Sequence, residues 1–166
     1  MQTNFILFLA LLIISFSRST VADDYSRIWL EDLNGNRQAL NQYVGQGKWL
    51  VLNIWAPGCL PCRLEMPELQ QFHDRHKHRD AVVLGMAVSF PDLGQANADE
   101  VRSFIESHNI SFPVLLGSGN SLTLPYNSRL AGLPTTILFN PEGDMIAAKL
   151  GRVSQKMIED FIKKAE

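Results

Sequence analysis

Cysteine is scarce in this chain, with two among 166 residues, and that scarcity excludes a disulfide-braced scaffold and a four-thiolate metal site. Charge of one sign is lacking too. Fifteen Lys and Arg against seventeen Asp and Glu leave a formal net charge of −2, with no basic surface of the kind that nucleic acid requires. Internal repeats, low-complexity tracts and linkers are absent. Ordinary hydrophobic content, 46% with 19% charged residues, then suits a single folded unit able to bury its own core. The N-terminus, Met1-Gln-Thr-Asn4, carries no Lys or Arg ahead of the apolar stretch Phe5 to Phe16, which only Ser15 interrupts. That stretch is short for a membrane span of about 20 residues. Followed by Thr20, Ala22 and the acidic Asp23-Asp24, residues 1–22 read as a signal peptide cleaved after Ala22, with a retained N-terminal anchor or a buried N-terminal helix as alternatives. No cysteine follows the stretch directly, which excludes a lipoprotein anchor. Cleavage would remove Arg18 and no acid, taking the net charge from −2 to −3. Residues 23–166 form the expected domain.

What is present is a pair. Cys59 and Cys62 stand three positions apart in Trp55-Ala-Pro-Gly-Cys-Leu-Pro-Cys-Arg63, between an apolar run and a helical pattern. Closing so small a loop stabilises a fold by only about 2 kcal/mol in the chain-entropy model, against about 4.7 for a hundred-residue loop. Reversible redox chemistry is the better reason for the spacing. With a helix starting near Cys59, its sulfur faces the unpaired N–H groups of the first turn, which stabilise a thiolate. Cys59 is the expected nucleophile. Cys62, one turn on and in the apolar stripe, is the expected resolving thiol, and Pro61 falls in the first turn, where a missing N–H costs nothing. The competing reading joins the pair to His73, His76 or His78 as a zinc site, or to a histidine as a copper chaperone. The spacing of these residues is only loosely finger-like, and the segment His73-Asp-Arg-His-Lys-His-Arg79 also reads as a solvated, cation-rich helix end. His108 reads likewise.

The expected elements follow from periodicity and turn chemistry. Residues 28–30 and 37–40 form short strands about an Asn-Gly turn; Trp49 to Trp55 and Ala81 to Val88 are strands buried on both faces. Cys59 to about His78 is a helix with Cys62, Met66, Leu69 and Phe72 in one stripe, kinked near Arg63 by Pro67. Asp99 to His108 is a helix capped near Asn97 or Asp99. Pro134 to Phe139 and Met145 to Leu150 form an antiparallel hairpin, and Ser154 caps a closing helix through Ile158, Phe161 and Ile162. Strands interleaved with helices argue for a three-layer α/β domain with a mixed sheet.

The run from Trp55 to Pro67, joined to Gly132-Leu-Pro-Thr-Thr-Ile-Leu-Phe-Asn140, resembles the TlpA/ResA-like exported thioredoxins over residues 25–166. The resemblance implies a thioredoxin-like three-layer α/β/α fold around a mixed β-sheet. It also implies an exported thiol–disulfide oxidoreductase, usually a reductant and in several members a servant of cytochrome c maturation. Cys59 then matches the attacking cysteine and Cys62 the resolving one. Pro134 matches a proline preceded by a cis bond, so that Leu133 presents its backbone to a bound substrate strand. Gly58, Leu60 and Pro61, around and between the cysteines, join Leu133 on the substrate-facing surface. Glu65 matches an acid near the cysteines that raises their pKa values or relays a proton; by charge alone it reads as an exposed glutamate near a helix N-terminus. Asn53 stands where cytosolic thioredoxins carry a buried acid. Gly58 replaces an aromatic residue that many members carry, which implies a more open surface around Cys59. Trp55 is expected to pack beneath the motif. A peroxidase of the peroxiredoxin type would place a threonine where Ala56 stands. The implied partners are protein thiol and disulfide clients and an upstream, membrane-bound thiol reductant. The implied setting is periplasmic or otherwise extracytoplasmic, for a monomer with no metal or organic cofactor, no nucleic acid, and membrane contact only through residues 1–22.

Overall fold

The computed structural model describes Tyr25, residues 28–90, Leu93, residues 96–117 and residues 130–165. The segment read as a signal peptide or anchor, with the 22/23 boundary, lies outside these residues. Among the described residues, no helix is long and apolar enough to cross a membrane.

Among the described residues seven strands form one sheet: β1 (Trp29–Glu31), β2 (Arg37–Ala39), β3 (Trp49–Trp55), β4 (Ala81–Val88), β5 (Val114–Gly117), β6 (Thr135–Phe139) and β7 (Met145–Leu150), in the spatial order β2-β1-β5-β4-β3-β6-β7. The β3–β4 and β4–β5 pairs are parallel and the remaining pairs antiparallel, so the sheet is mixed. Every residue of β3 is buried, which is what its unbroken apolar run demands of a central strand. Alternation along β3 sends Val51 and Trp55 into one core cluster and Leu50, Leu52 and Ile54 into another on the opposite face.

Three helices are described: α1 (Leu60–His76), α2 (Ala98–Ser107) and α3 (Gln155–Ala165). All three feed the first cluster, through Cys62, Met66, Leu69 and Phe72 of α1, Val101 and Phe104 of α2, and Ile158 and Ile162 of α3. The layer over the second cluster is thinner among the described residues, built from Tyr25, Leu40 in a 3-10 turn (Leu40–Gln42), Val44, Leu130 and Met145. The caps are chemical. Asn97 Oδ1 accepts from Glu100 N at 2.8 Å to start α2, one residue ahead of the expected helix, and Ser154 Oγ accepts from Met157 N at 3.3 Å at the start of α3. Pro67 lies inside α1, which continues to His76. The strand β5 is an addition to the elements that the sequence patterns gave.

Candidate active site

The end of β3 delivers the dithiol. Trp55 closes the strand, Ala56-Pro-Gly58 turns, and Cys59 is the N-cap of α1, with extended backbone (φ −83°, ψ 100°) and its Sγ accepting from Cys62 N at 3.3 Å. The helix therefore begins at Leu60, because Cys59 spends its side chain on an orphan donor of the first turn. Cys59 and Cys62 are joined as a disulfide with a Cα–Cα distance of 5.3 Å. Cys59 is 2% exposed and Cys62 fully buried in the apolar stripe, while Leu60 and Pro61 between them face solvent. The Leu133–Pro134 bond is cis. Pro134 is buried, and Leu133 packs on the cluster that holds both cysteines.

Gly58 does not open the surface around Cys59. A side chain there would meet the carbonyl oxygen of Leu93 at 2.5 Å and its carbonyl carbon at 3.0 Å. The Leu93 backbone stands where a side chain at position 58 would begin, and glycine is what lets the two backbones come so close.

Glu65 lies one turn beyond Cys62 and is fully buried, not the exposed glutamate its charge alone suggested. Its Oε1 accepts from Asn53 Nδ2 and its Oε2 from the backbone N of Val153, each at 2.8 Å. Asn53 also donates to Thr136 Oγ1 at 3.1 Å, and its own Oδ1 is buried without a hydrogen-bond partner among the described residues, so the amide is committed to donating. Burial pushes the Glu65 carboxyl above its ordinary range. The Val153 N–H, the Asn53 amide and the positive charges of Arg152 and Lys149 oppose that shift without cancelling it. Asn53, Thr136 and Val153 thus join the site. Asn53 was visible as the single polar residue of β3, whereas Val153 contributes a backbone group that no side-chain pattern betrays.

Three consecutive residues clamp the site from below. Gly151 N donates to Pro134 O at 2.8 Å, Arg152 Nη2 donates to Leu64 O at 3.3 Å, and Val153 N reaches Glu65. Gly151 holds a positive φ of 85°, which a residue with a Cβ adopts only under strain. Trp55 packs beneath the motif as expected, its ring 4.9 Å from that of Phe104, with its indole N–H buried and unpartnered among the described residues.

The histidines are elsewhere. Eleven residues of helix put His73 about 16 Å along the axis from Cys62. His73 is buried rather than solvated, and its Nδ1 accepts from Val83 N at 3.2 Å; burial, then the Lys77 charge, lowers its pKa. His76 lies between Asp80 and Glu159 and stacks on Phe72. His108 stacks on Phe104 at the end of α2. Among the described residues no cluster of three or more His, Cys, Asp and Glu could hold a metal ion. His73 and His76 are thus held toward the far end of α1, away from the cysteines.

Residues 21–148 match the model of the AhpC/TSA family. The thiol-disulfide oxidoreductase ResA of Halalkalibacterium halodurans is 30% identical over 134 residues, 81% of this chain and 70% of that protein. The Bacillus subtilis protein of the same name is also 30% identical, over 80% of this chain and 69% of its own length. A DsbF homologue from Corynebacterium diphtheriae superposes with a TM-score of 0.70 at 23% identity, over 84% of this chain and 85% of that one, which supports the thioredoxin-like fold. With its Cys59–Cys62 disulfide at a helix N-terminus beside a cis-proline, and with these matches over most of its length, the chain belongs to the AhpC/TSA family as a TlpA/ResA-like thiol–disulfide oxidoreductase.

Proposed function

We propose that this chain works outside the cytoplasm as a reductant of protein disulfides, with cytochrome c maturation as its setting. In the reduced form the Cys59 thiolate attacks a client disulfide. A bond forms between Cys59 Sγ and one client sulfur, and the second client sulfur leaves as a thiolate that takes a proton from water. Cys62, deprotonated, then attacks Cys59 Sγ, forming the Cys59–Cys62 disulfide and releasing the first client sulfur. Two electrons have passed to the client. A membrane-bound dithiol reductant restores the pair by the reverse exchange.

The carrying observation is the Cys59–Cys62 disulfide itself, seated with Cys59 as N-cap and Cys62 at its back. The N-cap position favours thiolate on Cys59, and burial disfavours it on Cys62, so the two thiols take different roles. Glu65, one turn from Cys62 with a raised pKa, serves as the proton acceptor when Cys62 must become a nucleophile. Gly58, Leu60, Pro61 and the Leu133 backbone form the surface that meets the client. Export rests on the composition of residues 1–22.

Two measurements test the reading. A reduction potential of about −250 mV or lower marks a reductant, and one of about −120 mV marks an oxidant. Cys62→Ser should accumulate mixed disulfides through Cys59; a variant that captures no client while binding one equivalent of metal at neutral pH would overturn exchange as the function.

A further inference from the structure

Among the described residues six large hydrophobic side chains stand exposed, and three of them border the site: Leu60 at 64%, Leu64 at 53% and Leu150 at 54%. Leu60 and Leu64 are four residues apart on α1 and share a face. Leu150 Cδ1 lies against Gly132, next to the cis Leu133–Pro134 bond. Cations flank this apolar surface. The Arg63 guanidinium lies over the Phe104 ring on the α2 side, and on the other side Arg152 reaches the Leu64 carbonyl, with Lys149, like Arg152, near enough to act on the Glu65 carboxyl.

None of these three cations pairs with a carboxylate among the described residues. Of the nearby acids, Glu65 is buried and satisfied by Asn53 and Val153, and Glu68 accepts from Gln155 N. Lysines farther away are neutralised locally, Lys77 by Asp74 and Lys156 by Asp160, both at 2.6 Å. A chain with a net charge of −2 therefore presents a positive rim around an apolar surface at its dithiol. Resting on the exchange reading, we propose that this surface selects client segments in which the reactive cysteine is accompanied by an apolar residue and flanked by Asp or Glu. The apolar residue settles on Leu60 and Leu64, and the acids face Arg63, Lys149 and Arg152. Such complementarity acts mainly on the rate of encounter and falls with salt.

The test uses the full chain carrying Cys62→Ser and two single-cysteine peptides, each activated as a mixed disulfide with thionitrobenzoate. Both contain a leucine beside the cysteine; one has aspartates as flanks and the other lysines. Attack by Cys59 forms the protein–peptide disulfide and expels thionitrobenzoate anion, whose release gives the rate. Each rate is divided by that of free 2-mercaptoethanol with the same peptide, which removes intrinsic reactivity. The aspartate peptide should react about tenfold faster at low salt, two or three exposed ion pairs of modest strength giving that factor. The advantage should shrink toward unity at high salt, and the exposed-strand change Lys149→Glu should cut it severalfold. Equal rates, or a preference that ignores salt, overturn the proposal while leaving exchange intact. Failure of both peptides to form a protein disulfide, with 2-mercaptoethanol still reacting, overturns the exchange reading and the docking surface together.

Discussion

Replacing Glu65 with glutamine isolates the effect of one buried charge. Glu65 is fully buried and burial raises its pKa above the ordinary 4.5, so between that value and its folded pKa the native state binds a proton that the unfolded state has released. Stability must then fall as pH rises through this window, because its slope with pH follows protons bound unfolded minus protons bound folded. The slope from one group cannot exceed about 1.4 kcal/mol per pH unit. Glu65→Gln removes that slope. It also leaves one acceptor where the carboxylate had two, so either the Asn53 amide or the Val153 N–H loses its bond, at a cost of about 1 kcal/mol. At pH 4, with the carboxyl largely protonated in both states and its hydroxyl oxygen still able to accept where the glutamine NH2 cannot, the variant should be the less stable by up to about 1 kcal/mol. With rising pH the gap should narrow, since only the wild-type protein loses stability through this window. Urea unfolding midpoints of the oxidised protein and the variant, taken from pH 4 to pH 8, provide the check. A stability difference that stays constant across that range would refute the claim that Glu65 resists ionisation in the fold.

Three further outcomes follow from the same geometry. Gly58→Ala should force the Leu93 backbone away, since the new Cβ would stand 2.5 Å from its carbonyl oxygen; thermal unfolding should show a loss of about 1–3 kcal/mol, and reduced Cys59 should react faster with a neutral alkylating reagent. His73 has a pKa lowered from 6.5 by burial, so it stabilises the fold above that value and the contribution is lost as pH falls toward its folded pKa. His73→Gln should flatten this acid limb in pH-dependent unfolding, and an unchanged limb would mean that His73 is not held neutral by the fold. In the reduced protein, Glu65→Gln should shift the thiol titration followed by thiolate absorbance, and an unshifted curve would separate Glu65 from the thiols.

Much of this was legible because local chemistry and fold agree. The unbroken apolar run of β3 required a central strand, and the stripe of Cys62, Met66, Leu69 and Phe72 gave the buried face of α1. Asn97 announced its helix, and Asn140 its turn, where its Oδ1 accepts from Asp144 N at 2.7 Å. Strand β5 was not legible, since four residues are too few to distinguish strand from any other buried segment. It exists because Gly85 to Val88 on β4 offer it a parallel partner, which is tertiary information. Gly58 misled for a related reason: a missing side chain signals open space or close approach equally, and only the Leu93 backbone decides. His73 looked like part of a charged helix end, yet at that position the helix turns it toward Val83 N and the Phe112 ring.

The clamp formed by Gly151, Arg152 and Val153 has a consequence for the birth of the protein. Val153 and Arg152 each bond to a partner 88 residues earlier in the chain, and synthesis delivers the N-terminal side first. A nascent chain ending before residue 150 already carries both thiols and Glu65, but neither the backbone donor for that carboxylate nor the N–H that holds the Pro134 carbonyl. The buried acid beside the dithiol thus gains its full set of hydrogen bonds only when the residues after the last strand arrive, and a ribosome-stalled or C-terminally clipped form would lack the Val153 donor to it.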